Sequence, residues 1–252
     1  MKRVKYYLVP AVAVVLLIGL PIGVVGAKCI EAPQTIDPAS FNSPQDNLYF
    51  PMPPVGETKT YVYQPKTEDE IILNLMTFTT DTKTIMGVTC TVVHDVEVIW
   101  VDGLTDPWVP LEDTYDWYAW DNDGNVWYFG EETEAYTYDE NWNKIGTSTE
   151  GSWEAGVDGA LPGIVMLADP MPGVCYEQEY YEGEAEDMGK VLRLNASVSV
   201  EYGDFDDCLV TKEWTPLDPG AVEHKYYAPG VGLVYIEELK EKTVKVELID
   251  IF

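Results

Sequence analysis

The sequence predicts a mostly β fold, an antiparallel meander that curls into a barrel, half-barrel or sandwich. Three observations predict it. From Thr58 onward, β-branched and aromatic residues alternate with polar ones at period two, as in TKTYVYQ, IILNLMTFTT and TIMGVTCTVVHDVEVIWV. Short turn signals, not helix-length segments, separate these runs. No stretch holds a long helical period; only GEAEDMGKVL has the composition for a turn or two of helix.

Taken in order, residues 1–27 are an address segment. Lys2, Arg3 and Lys5 open it, an uncharged apolar run follows, and Val25-Gly26-Ala27 offers the small residues a signal peptidase cuts after. The run is also long enough for an uncleaved anchor. Cys29 raises a lipoprotein reading, although Lys28 stands where a lipobox needs a small residue. All three readings place the folded part outside the cytoplasm, secreted or anchored by its N-terminal segment.

Residues 28–57 carry Pro33, Pro38, Pro44, Pro51, Pro53 and Pro54, which block helix and ladder alike. They predict an extended leader wrapping onto the remainder, 58–252, a single β-rich domain. Asp81-Thr82-Lys83 reads as a tight hairpin turn between the first long strands. Further strands are expected at TYDWYAWD, NVWYFG, EAYTYD, CYEQEYY, KVLRLNASVSVEY, CLVTKEWT, HKYYAP, LVYIEEL and VKVELIDIF. Between them, 151–173 is rich in glycine and proline yet too apolar for a free linker, and predicts a long ordered loop over the sheet.

Hydrophobic residues make up 46% of the 252-residue chain and aromatics 12%, enough for a sizeable core and against disorder. The net charge of -29 repels nucleic acid and anionic lipid, so neither a phosphate-backbone partner nor membrane contact beyond the N-terminal segment is expected. Cysteines 29, 90, 175 and 208 all follow the cleavage site. An even count in an exported chain predicts two disulfides, with three connectivities open. Cys175–Cys208 is favoured because both flank strands of the C-terminal half, leaving Cys29–Cys90.

The segment DWYAWDNDGNVWYFGEET (116–133) concentrates the recognisable chemistry. Asp121, Asp123, Asn125 and Glu132 fall on the first, third, fifth and twelfth positions of an EF-hand loop, but Val126 takes the place of its obligatory glycine. The flanks are strand-like as well, so an EF-hand is excluded. A looser calcium site on Asp121, Asp123 and Asn125 stays open. A hairpin bend with Gly124 in the left-handed region fits the stretch better. It pairs Trp120 with Val126, Ala119 with Trp127, Tyr118 with Tyr128 and Trp117 with Phe129. Both faces of such a hairpin are aromatic, whereas a solvated sheet keeps one polar face. One face must be core; the other is covered by 151–173 or open to a ligand. Trp117, Tyr118, Trp120, Trp127 and Tyr128 are therefore candidate binding residues for a carbohydrate or a small neutral or apolar molecule.

DNLYFPMPPVGETKTYVY, TYDWYAWDNDGNVWYFGEETEAY, GSWEAGVDGALPGIVM, DCLVTKEWTPLDPG and EHKYYAPGVGLV resemble blocks in a group of exported prokaryotic proteins without known function. That resemblance implies one continuous exported domain and brings no reaction, ligand or site residue. The Y-x-P-G-V-G-L-V ending also resembles β-rich periplasmic half-barrels that cradle apolar ligands, an analogy of fold alone.

Catalytic motifs are absent: the sequence holds no G-x-S-x-G, H-E-x-x-H or P-loop. His94 and Asp95 are adjacent in a strand, so alternation sends them to opposite faces. Glu131, Glu132 and Glu134 beside the aromatic hairpin are the candidate carboxylates for an alternative, glycosidase-like hydrolase. Glu201, Asp204, Asp206 and Asp207 read as a solvated turn. The expectation is an exported, non-catalytic binding protein with no cofactor; the remaining alternative is an envelope structural protein without a pocket.

Overall fold

The computed structural model describes residues 28–67, 70–239 and 244–252. The expected signal, anchor or lipoprotein segment, 1–27, lies outside the described residues. Strands β1 (Lys59–Pro65), β2 (Ile72–Ile85), β3 (Val88–Trp100), β4 (Trp108–Trp120) and β5 (Val126–Tyr138) form one antiparallel meander. The chain then lays β6 (Lys144–Ser148), β7 (Trp153–Glu154) and β8 (Leu161–Met166) against β5. After β9 (Cys175–Glu177) and β10 (Glu179–Tyr180) comes a second meander. It runs β11 (Met188–Val200), β12 (Gly203–Trp214), β13 (Val222–Ala228), β14 (Gly232–Glu238) and β15 (Val244–Ile251). β15 returns to pair with β1, joining the two meanders.

The result is a single curled sheet in the order β10-β8-β5-β4-β3-β2-β1-β15-β14-β13-β12-β11-β9. Its two ends are almost the same piece of chain: β9 pairs with β11, β10 pairs with β8, and only Gln178 separates them. The ladder stops at that residue, so the sheet is open and curled, not a closed barrel. The mostly β, antiparallel architecture read from the sequence is the one observed. Alternation explains the curl: Phe78, Val93, Trp120, Val126, Leu209, Val234 and Leu248 all turn to one inner core.

The leader packs along this sheet. Ile30 forms a parallel bridge to Tyr176. A short 3-10 helix, Pro38–Phe41, carries the Phe41 ring edge-on to Trp127 and Phe129 at 6.0 and 5.8 Å. Asn47 is 2% exposed and donates to the carbonyls of Gly124 and Leu167. Phe50 stacks near Tyr118 and Trp120, and its carbonyl accepts the Trp120 indole N–H at 2.9 Å. Prolines cannot donate to a ladder, so this segment is held by side chains and scattered backbone bonds.

Four local expectations are corrected. Asp81-Thr82-Lys83 is no turn; these residues lie within β2 beside a bulge, and the reversal is at Met86-Gly87. Both of these residues have positive φ, 50° and 81°, the geometry whose twist matches a two-residue hairpin. NVWYFG and EAYTYD are one uninterrupted strand, β5. The 151–173 segment is not all loop: Leu161–Met166 is a strand buried on both faces, so its apolar run does not alternate. GEAEDMGKVL contains no helix and leads into β11.

The disulfide pairing is corrected too. Cys29 bonds Cys175, because the leader runs beside β9, where Ile30 N–H donates to the Cys175 carbonyl at 2.9 Å. Cys90 and Cys208 are free and buried, each in a different core cluster. Burial pushes their thiols up to about 12 and about 11, which makes them unreactive small apolar residues.

Candidate functional site: the interior cavity

Cross-strand register stacks the inner-facing residues into rows. One row reads Tyr61, Met76, Asp95; the next reads Tyr63, Asn74, Glu97; a third runs from Phe78 through Val93 to Asp116 and Glu131. Residues of these rows and of the opposite wall line a cavity of about 380 Å³ that is partly open to solvent. Glu213, Lys225 and Tyr227 reach it from β12 and β13, and Gln178 from the seam where the sheet's ends meet. Gly163 sets that seam, since a Cβ there would sit 2.3 Å from the Gln178 backbone.

Several polar groups in the wall are satisfied. Tyr61 and Tyr63 hydroxyls donate to the carbonyls of Val231 and Leu233 at 2.9 and 3.0 Å. Glu213 accepts from Thr211 at 2.8 Å and Tyr227 at 3.1 Å, and pairs with Lys225 Nζ at 2.8 Å. Asp95 accepts from the Asn74 amide, and Asp116 from the Tyr128 hydroxyl at 2.7 Å. Two groups differ. The Gln178 side chain is 7% exposed and its amide has no hydrogen-bond partner among the described residues. The same holds for the Tyr118 hydroxyl, whose ring lines the cavity and stacks on Tyr128 at 4.9 Å.

Desolvation dominates the electrostatics. Burial pushes Asp95 up to about 6, against the Asn74 hydrogen bond that favours its anion. Burial, with Glu112 and Asp95 nearby, pushes Glu97 up to about 7. Glu131 rises to about 7 for the same leading reason, and Asp116 stands well above the ordinary carboxylate range. On the other wall, burial works to lower Lys225, but Glu213 and Glu223 beside it hold it well above the usual lysine value. This wall is ion-paired; the first tends toward neutral acids.

The hairpin that dominated the sequence analysis borders this cavity without forming a single platform. Its tip bends as a three-residue loop: Asp121 N–H donates to the Asn125 carbonyl at 3.0 Å, and Gly124 has φ 91°. Tyr118–Tyr128, Ala119–Trp127 and Trp120–Val126 pair, but Trp117 does not face Phe129 alone. Gly130, at φ 122°, adds an extra residue to β5, so that Asp116 meets Glu131. A side chain there would collide with the Trp153 carbonyl, 2.2 Å from its Cβ, which is why the bulge needs glycine.

The five aromatic candidates are thereby distributed. Trp117 is buried in the outer core with the Lys83 ammonium 3.2 Å over its ring. Trp120 is buried in the inner core, Tyr128 is buried between Asp116 and Trp153, and Tyr118 lines the cavity. Trp127 is half-buried and borders a separate groove of about 390 Å³ with Phe41, Asp121 and Asp123. Asp121 accepts from the backbone N–H of Asp123 and Asn125, the Asn125 amide and the Trp127 indole. Among the described residues, no group of three or more His, Cys, Asp or Glu is arranged to hold a metal.

Glu131, Glu132 and Glu134 do not converge: Glu131 points inward, while Glu132 and Glu134 are exposed. His94 is likewise outside, bonded to Asp113 at 2.8 Å and stacked on Tyr115, while Asp95 lies inside. Asp95, Glu97, Asp116, Gln178, Glu213 and Lys225 were not singled out from sequence. The available signal was parity: Asp95 and Glu97 share the parity of Val93, and Asp116 that of Tyr118 and Trp120.

No protein-family model matches the chain, and no curated protein matches it. Two solved structures are similar in shape. One is a proposed exported protein with a YmcC-like fold from Bacteroides fragilis. It is 13% identical, with a TM-score of 0.41, over 82% of this chain and 99% of that one. The other is a proposed lipoprotein from Parabacteroides distasonis, 11% identical, with a TM-score of 0.39, over 82% of this chain and 100% of that one.

Proposed function

We propose that this chain is an extracytoplasmic binding protein that holds a small amphipathic molecule inside the curled sheet. The observation that carries this reading is the interior cavity of about 380 Å³, lined by aromatic rings, into which Gln178 and Tyr118 present polar groups without protein partners. Both groups face the cavity space, and a ligand offering them hydrogen bonds would take the place of water there. Export is supported by the basic and apolar start of the sequence and by the Cys29–Cys175 disulfide, which needs an oxidising compartment.

The test is thermal stability of the mature protein against a panel of small lipids, aryl compounds and glycans. A binder should raise the melting temperature of the native protein but not of Met76→Trp, whose larger ring fills the cavity. A panel without response, or an equal response in Met76→Trp, would refute the cavity reading.

The Trp127 groove supports a second reading, binding of a glycan, because a half-buried indole beside exposed Asp123 suits a sugar ring with hydroxyls at its rim. Loss of a glycan response in Trp127→Ala, with Met76→Trp unaffected, would favour the groove.

A further inference from the structure

We infer that the molecule held in the cavity is an organic amine, a cationic head on an apolar or aromatic body. The inference rests on the cavity reading above and adds the charge of the ligand.

The lining residues Asp95, Glu97 and Asp116 belong to strands β3 and β4, and none has an ion-pair partner among the described residues. Lys225 is the one cation among the lining residues. Its ammonium is already held by Glu213 at 2.8 Å and Glu223 at 3.6 Å, so it offers nothing to the opposite wall. The cavity therefore carries acidic groups in excess of its basic ones. Carboxylates alone would only mark an acidic patch. Here they stand beside a Gln178 amide, more than nine-tenths buried, whose carbonyl oxygen is free to accept from an ammonium N–H.

The rest of the lining suits the same class. Tyr61, Tyr63, Phe78 and Tyr118 turn ring surface into the same space, and aromatic faces attract a desolvated cation. An anionic ligand would face Asp95, Glu97 and Asp116 and find the Lys225 ammonium already engaged. A neutral ligand would satisfy Gln178 but give Asp95, Glu97 and Asp116 no ion-pair partner. The net charge of -29 draws cations toward the molecule over longer range and disfavours anions.

Three probes of nearly equal shape separate the possibilities: 3-phenylpropylamine, 3-phenylpropanol and 3-phenylpropanoate, titrated calorimetrically into the mature protein near neutral pH. The amine should bind at least about tenfold tighter than the alcohol, as one desolvated charge-assisted contact implies. The acid should bind weakest. Glu97→Gln and Asp95→Asn, both near-isosteric, should each reduce the amine's advantage over the alcohol severalfold while leaving the alcohol itself little changed. Gln178→Leu should weaken both. Circular dichroism of every variant confirms that it folds. Equal binding of amine and alcohol, or tighter binding of the acid, overturns the charge assignment while the cavity reading survives. If none of the three binds the folded native protein, the amine assignment fails, and the cavity reading is then decided by the wider panel and Met76→Trp.

Discussion

On the β12–β13 wall of the cavity, buried Glu213 receives two hydroxyl hydrogen bonds and the Lys225 ammonium. On the β3–β4 wall, Asp95, Glu97 and Asp116 are buried or half-buried, as is Glu131 behind them on β5, and none has an ion pair among the described residues. The two walls share one space and one strand pattern, yet they treat charge in opposite ways. A partner of opposite charge offsets the desolvation of a buried group. An unpaired carboxylate meets the same desolvation by holding its proton to higher pH. The first wall is therefore a fixed structural element, and the second is the adaptable one.

The strongest test of that contrast is Lys225→Met. It strands Glu213 as a lone buried charge and should cost about 3–5 kcal/mol, measured by urea unfolding at neutral pH. The double variant with Glu213→Gln should recover much of the loss; a cost under about 1 kcal/mol for Lys225→Met would erase the distinction between the walls.

The next largest effect is the pH profile. Asp95, Glu97 and Glu131 have folded values raised to about 6, about 7 and about 7. A carboxyl group with a raised folded value contributes stability that is complete below its unfolded value, near about 4, and is lost as pH rises through the folded value. Melting should therefore occur roughly 5–10 °C higher near pH 5 than near pH 8. An opposite slope would show that the second wall is paired by something else.

Asp116→Asn comes third. It keeps an acceptor for the Tyr128 hydroxyl and removes a charge that burial opposes, so it should gain about 1–2 kcal/mol near pH 8 and nothing near pH 5. The smallest effect belongs to the hairpin tip, away from both walls. Asp121→Ala should cost about 1 kcal/mol at either pH, and a chelator should leave melting unchanged because four N–H donors already engage the Asp121 carboxylate.

How much of this was legible follows from what each signal depends on. Period-two alternation is local, so the strands, the 121–125 bend and three of the four hairpin pairs could be read directly. The fourth pair was not, because Gly130 bulges only in the presence of the Trp153 carbonyl, which belongs to another strand. The Met86-Gly87 reversal was missed because Asp81-Thr82-Lys83 has the stronger turn composition, whereas positive φ at Met86 carries no local sequence signal. Cys29–Cys175 joins residues 146 positions apart through the path of the leader, and cysteine spacing says nothing of that path. The cavity was hidden for a related reason. Aromatic density at Trp117–Trp120 marked packing, while the unpaired side chain at Gln178 depends on two distant ladders ending at one residue.

A strand-rich molecule ordinarily risks recruiting its neighbours, since the outermost strand at each rim displays a row of idle donors and acceptors. Here both rims of the main ladder finish on a single short stretch, 175–180, which the Cys29 bridge ties down. At one rim, however, β9 covers only Met188–Lys190 of β11, and beyond Val191 the outer edge of that strand has no ladder partner among the described residues. The seam thus shields the ends of the ladder, and the far flank of β11 is where an added strand would find open donors and acceptors.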